Sequence, residues 1–199
     1  MKKQVLFVLL DQYADWEAAY LASAINMLGQ EQYAVKTVSI TLDRIQSIGG
    51  FQLLPDYDMK SMPKEFEALI LIGGMSWRTE EAKQIIPLVE KCIDDGRVLG
   101  GICDASEFLG TVGALNRCNH TGNDLTDLKQ WAGEAYTGEE RYIREQAVRD
   151  NNIITANGTA ALEFAKEVLL ALQIAPQDQI EEWYNFHKLG YYEATKNSF

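Results

Sequence analysis

Three short segments, VLFVLL at 5–10, ALILI at 68–72 and VLGGI at 98–102, are apolar at every position. A strand with one face in water alternates apolar and polar residues. A strand that is apolar throughout needs cover on both faces, as in a parallel sheet held between helices. Stretches of helical period separate these runs. Residues 15–29 read as a helix that Asp15 caps and Gly29 ends, and 79–96 as a helix opened by Thr79, closed by Gly96 and kinked at Pro87. Residues 159–173 form a third, strongly periodic helix. YAVKTVSI (33–40) alternates like a strand, and 143–158 reads as a hairpin turning at Asp150, Asn151 and Asn152. RIQSIGGFQLLPDYDM (44–59) breaks the rhythm and reads as a small antiparallel excursion. The order predicts one α/β domain over residues 1–199, a doubly wound, mostly parallel sheet with helices on both faces.

Charge narrows the partners. With 18 basic and 29 acidic residues the chain carries a net charge of −11. No basic cluster offsets this, so nucleic acid is not an expected partner. No apolar run reaches membrane-spanning length, and the run after Lys2 and Lys3 is too short for a signal peptide, so no membrane partner is expected either. Cys92, Cys103 and Cys118 have neither the even count of a disulfide scaffold nor metal-ligand spacing. The expectation is a cytoplasmic protein in a reducing compartment, with no metal and no cofactor.

In doubly wound sheets ligands collect at the carboxyl ends of the strands. Three features fall there: Glu17 after the first strand, Gly73 and Gly74 after ALILI, and Cys103 after VLGGI. In GGICDASEFLG the cysteine stands at a sharp strand-to-helix corner, with Gly101 and Ala105 as the small flanking residues such a turn demands. The helix N-terminus beginning there favours a thiolate, and the amide of Asp104, with that of Gly73 or Gly74, could form an oxyanion hole. The alternative is a cysteine buried as a small apolar residue.

ADWEAAYLASAINML, ALILIGGMSW, GGICDASEFLGTVGAL and IITANGTAALEFAKEVLLAL together resemble the DJ-1/PfpI (ThiJ/PfpI) family, of the flavodoxin-like, class I glutamine amidotransferase-like fold. The resemblance runs over nearly the whole chain. It implies that Cys103 is the reactive cysteine and Glu17 its partner acid, which when protonated can donate a hydrogen bond to sulfur. Many catalytic relatives place a histidine about twenty residues beyond the cysteine; here that position is Asn123. Asparagine can orient a substrate but cannot take a proton at neutral pH. His120 lies an odd number of residues away, so in an extended segment it points to the opposite face. Asp104, often small or histidine in relatives, is expected to cap the helix that follows. Asn123, His120 and Trp77 are candidates for substrate positioning, and Trp16 for lining the crevice.

Near the C-terminus Ile180, Trp183, Tyr184, His187 and Tyr191 fall on one helical face, expected to pack on the body of the domain or, alternatively, to form a homodimer seam. His187 is expected to face solvent. The functional expectation is a cysteine-dependent hydrolase, amidase or glyoxalase-like enzyme acting on a small-molecule substrate. The alternative is a stress-response sensor whose cysteine meets an oxidant or electrophile without turnover.

Overall fold

The computed structural model describes residues 2–196. The strands β1 (Lys3–Val8), β2 (Tyr33–Val38), β5 (Ala68–Leu71), β6 (Val98–Ile102), β7 (Ala147–Asp150) and β8 (Ile153–Ala156) form one sheet in the order β2-β1-β5-β6-β8-β7. All neighbours are parallel except β7, which pairs antiparallel with β8 as the hairpin at 143–158 predicts. The excursion supplies β3 (Ile45–Gln46) and β4 (Gln52–Leu53), a separate antiparallel pair.

The apolar strands behave as their composition requires. Along β1, Val5 and Phe7 enter one core while Leu6 and Val8 enter the other. Along β5, Ala68 and Ile70 divide from Leu69 and Leu71 in the same way. One face is covered by α1 (Asp15–Leu28), α5 (Ala161–Leu172) and α6 (Gln177–Leu189), through Leu21, Ile25, Phe164, Val168 and Ile180. The other is covered by α2 (Ile86–Asp94), α3 (Asp104–Thr111) and α4 (Leu125–Ala132), through Leu88, Val89, Phe108 and Leu128. Each such side chain contributes about 1.5–3 kcal/mol by leaving water, so the central strands are anchored from both sides.

Three expectations about helix ends need correction. Asp15 does not cap α1: the cap position is Ala14, and the Asp15 carboxylate accepts the Gly49 N–H at 2.8 Å, tying the β3–β4 excursion to the helix start. Pro87 kinks nothing. A 3₁₀ turn over Glu81–Ile85 precedes α2, and Pro87 sits in its first turn, where its missing N–H costs no hydrogen bond. The C-terminal helix stops at Leu189, because Gly190 adopts φ 82°, and Tyr191 belongs to a separate short helix, α7 (Tyr191–Ala194). Ile180 and Trp183 are buried on the body, whereas Tyr191 is exposed. His187 is exposed as expected, with its ring edge-on to Tyr20. Among the described residues no helix is long and apolar enough to cross a membrane.

Candidate active site

The carboxyl ends of β1, β5, β6 and β8 converge. The chain leaving β1 turns into α1, and the Ala14 N–H bonds to the Gly73 carbonyl at 2.9 Å, which sets Glu17 in the first helical turn against the end of β5. At the end of β6 Cys103 adopts φ 60° and ψ −136°, a backbone conformation that costs a non-glycine residue on the order of 1–3 kcal/mol. The corner is held by the Cys103 N–H on the Ala156 carbonyl at 3.0 Å and by the Ser106 hydroxyl on the Cys103 carbonyl at 2.7 Å. This is the strained elbow expected from the small flanking residues.

Two glycines let the groups meet. A Cβ at Gly73 would lie 2.4 Å from Glu17 Oε2 and 2.5 Å from Cys103 Cβ, and one at Gly158 would lie 2.9 Å from Cys103 Sγ and 3.2 Å from Glu17 Oε1. Cys103 and Glu17 therefore share one cramped space. Glu17 is completely buried. Its Oε2 accepts the Gly73 N–H at 2.8 Å, while Oε1, beside the sulfur, has no partner of good geometry. A proton on this carboxyl belongs on Oε1, the oxygen that does not accept from Gly73. Burial pushes the Glu17 carboxyl up to about 7, against the smaller lowering effects of contact with Cys103 and the Gly73 amide.

Asn123 completes the site. Its Oδ1 accepts the Gly158 N–H at 2.9 Å, which orients the amide so that Nδ2 points at Cys103 Sγ, 3.3 Å away. Asn123 thus reaches the sulfur as a hydrogen-bond donor. The Trp16 indole N–H donates to the Gly158 carbonyl at 3.0 Å, placing a half-exposed ring at the rim. A cleft of about 840 Å³ abuts Asn123 and Asn157 and is lined also by Gln146, Arg144 and Lys166; Cys103 and Glu17 do not line it.

Five sequence expectations change at this point. Burial, and then the Glu17 charge, push the Cys103 thiol up to about 11, so the N-terminus of the eight-residue α3 does not by itself produce a thiolate. The Gly73 amide is occupied by Glu17 and is not free for an oxyanion. Asp104 does not cap α3; its carboxylate is paired with Arg78, with Nε to Oδ2 at 3.0 Å. His120 is buried away from the sulfur, between the Cys118 carbonyl at 2.8 Å and the Tyr136 hydroxyl at 2.7 Å. Trp77 is a core residue, its indole N–H on the Ile72 carbonyl at 2.7 Å and its ring against Phe108.

Sequence reasoning left unread Arg78, Glu107, Asp127 and the part Gly158 plays. Glu107 did carry a signal: at four residues beyond Cys103 it falls on the same side of α3. Arg78 and Asp127 carried none, since only the fold brings them to the elbow.

A strained cysteine beside a buried acid thus stands at the carboxyl edge of a doubly wound sheet of the α/β class. The model of the DJ-1/PfpI family matches residues 3–171, and the chain belongs to that family. It is 38% identical over 190 residues to the Bacillus subtilis protein named "Uncharacterized protease YdeA", covering 96% of this chain and 93% of that one. It is 23% identical over 161 residues to "Deglycase PH1704" of Pyrococcus horikoshii, covering 80% of this chain and 92% of that one. The crystal structure of a thiJ/pfpI family protein from Bacillus anthracis superposes with a TM-score of 0.89 at 30% identity, covering 98% of this chain and 94% of the other.

Proposed function

We propose that this protein is a cysteine-dependent enzyme in which Cys103 attacks the carbonyl carbon of a small carbonyl compound or amide. The observation that carries the reading is the completely buried Glu17 carboxyl, its Oε1 unpartnered in the space it shares with Cys103 Sγ, where burial pushes the acid up to about 7. A group poised near the working pH is suited to moving a proton, and none of the other contacts to the sulfur can do so. In the first step the thiol proton passes to ionised Glu17 as the C–S bond forms, and the carbonyl π pair becomes an alkoxide. The Asp104 amide, which faces the sulfur, is one donor for that oxyanion, and Gly74 is the second donor the sequence suggests. Glu17 then returns its proton to the leaving nitrogen or to the alkoxide, and an amide's acyl–sulfur bond is released by water. Relatives named protease and deglycase accord with a reaction of this kind. Cys103→Ala should abolish turnover in a screen of amides and small 2-oxoaldehydes. Equal activity in the variant and the parent protein would sink the reading.

One observation favours a second reading. Asn123 offers sulfur an N–H and no base, and a protonated Glu17 adds another donor. These would stabilise a sulfinate formed by peroxide, as a redox sensor requires. Intact-mass measurement after mild peroxide separates the two: a stable species with two added oxygens on Cys103, without turnover of any carbonyl compound, favours the sensor.

A further inference from the structure

A second cluster lies beside the elbow and takes no part in the proton transfer above. Glu107 is completely buried. Its Oε2 lies 3.2 Å from Arg78 Nη2, and its Oε1 accepts the Asp124 N–H at 3.2 Å. Asp124 directly follows Asn123, whose amide reaches the sulfur, and Asp124 Oδ1 caps α4 by accepting the Asp127 N–H at 2.9 Å. Arg78 also holds Asp104 in a forked pair, Nε at 3.0 Å and Nη2 at 3.3 Å, and meets Asp127 through both Nη1 and Nη2. Its guanidinium lies over the Trp131 ring, 4.6 Å from the centroid. One cation therefore ties the loop after β5 to the first turns of α3 and α4.

A buried carboxyl is costly compared with an apolar residue of the same size, and a single arginine shared by three acids leaves the cluster net negative. Its return lies in geometry: the planar fork fixes Asp104 and Glu107 at once, and Glu107 fixes the backbone that presents Asn123. We propose that Arg78 is a positioning residue of this site, which draws the carboxylate of Asp104 away from the sulfur, offsets its charge, and through Glu107 holds Asn123 against Cys103. The inference deepens the reading of Cys103 as the reactive thiol but assumes no turnover. The titratable group facing the sulfur is Glu17 from α1; α3 brings the Asp104 main-chain amide, with that residue's carboxylate turned to Arg78, and the loop before α4 brings the Asn123 side-chain amide.

The test is the pH profile of iodoacetamide alkylation at Cys103 in the intact protein, read by peptide mass, with folding checked by thermal melting. Losing Arg78 leaves the carboxylate of Asp104, the residue that follows Cys103, uncompensated. Arg78→Gln should raise the midpoint by about one pH unit and slow alkylation at neutral pH about tenfold. Removing one charge of each sign in Arg78→Gln/Asp104→Asn should return the midpoint part of the way to the parent, because the charge is rebalanced while the Arg78–Glu107 hold on Asn123 stays lost. A single-variant profile that superimposes on the parent, or a double variant displaced as far as the single, overturns the proposal. Should Arg78→Gln fail to fold, Asp127→Asn carries the test, because it removes a rival acid at a half-buried position and should lower the midpoint. An unchanged or raised midpoint in that variant likewise overturns it. Turnover assays run alongside keep the two readings apart, since a shifted profile in a protein without carbonyl turnover supports the role of Arg78 and removes the enzyme.

Discussion

Cys92 and Cys103 are both pushed upward by burial, to about 12 and about 11, yet they stand in different kinds of place. Cys92, on α2, is completely buried, and its sulfur donates to the Val98 carbonyl at 3.5 Å. Cys103 is partly open, sits on a left-handed backbone, and has a carboxyl, a side-chain amide and a main-chain amide around its sulfur. The direction of the pKa shift therefore does not tell the two thiols apart. What distinguishes them is a neighbour able to take the proton: Glu17 can, and a backbone carbonyl cannot.

The widest separation should appear in native-state labelling. Cys92 can react only when the protein opens, so with ordinary domain stability its modification by a small alkylating reagent should trail that of Cys103 by about a thousandfold or more. Pulse labelling with peptide mass readout measures this, and comparable rates would erase the contrast. Next in size is Gly73→Ala. Its Cβ has no room between Glu17 and the cysteine, and the variant should lose about 3 kcal/mol in urea unfolding. A loss near zero would mean that Glu17 and Cys103 are not held as close as described.

Glu17→Gln should change how stability depends on pH. The unfolded chain gives up this proton near 4.5 and the folded chain holds it to about 7, so between those values the folded state binds more protons and stability falls as pH rises. Removing the acid should flatten that fall by about 2.5 kcal/mol between pH 5 and pH 9. Glu107, pushed up to about 8 by burial, retains a slope of the same sign. Urea midpoints across this range check the effect, and an unaltered slope would show that Glu17 is ionised at little cost. The smallest effect belongs to Asn123→Ala, which removes one donor to sulfur and the acceptor for the Gly158 N–H. A loss of about 1 kcal/mol, read as a five- to tenfold slower alkylation of Cys103, is expected. Alkylation as fast as in the parent would leave Asn123 without influence on the thiol.

The sheet was legible because its signal is local. Runs such as VLFVLL and ALILI have no solvent face to offer, and the glycine and Asp-Asn turns between elements lie in consecutive residues. Helix ends were read less well: Asp15 and Pro87 have the right chemistry for a cap and a kink, but tertiary partners, Gly49 and the preceding 3₁₀ turn, used them otherwise. At the site, Cys103 could be found from its five-residue context, while Glu17 drew attention mainly through the family resemblance. The roles assigned to His120, Trp77 and Gly73 failed because each found a partner far along the chain or a place in the core.

The chain by itself determined that its strands would be covered on both faces and that a cysteine would stand at a cramped corner, since both follow from the size and polarity of neighbouring residues. Only the tertiary structure decided what surrounds that sulfur. Glu17, Asn123 and Gly158 are brought to it by three different strand ends and loops, and Arg78 to Asp104 across 26 positions. Burial and charge act through space, so the protonation of Cys103 was settled by neighbours that no local stretch of sequence contains.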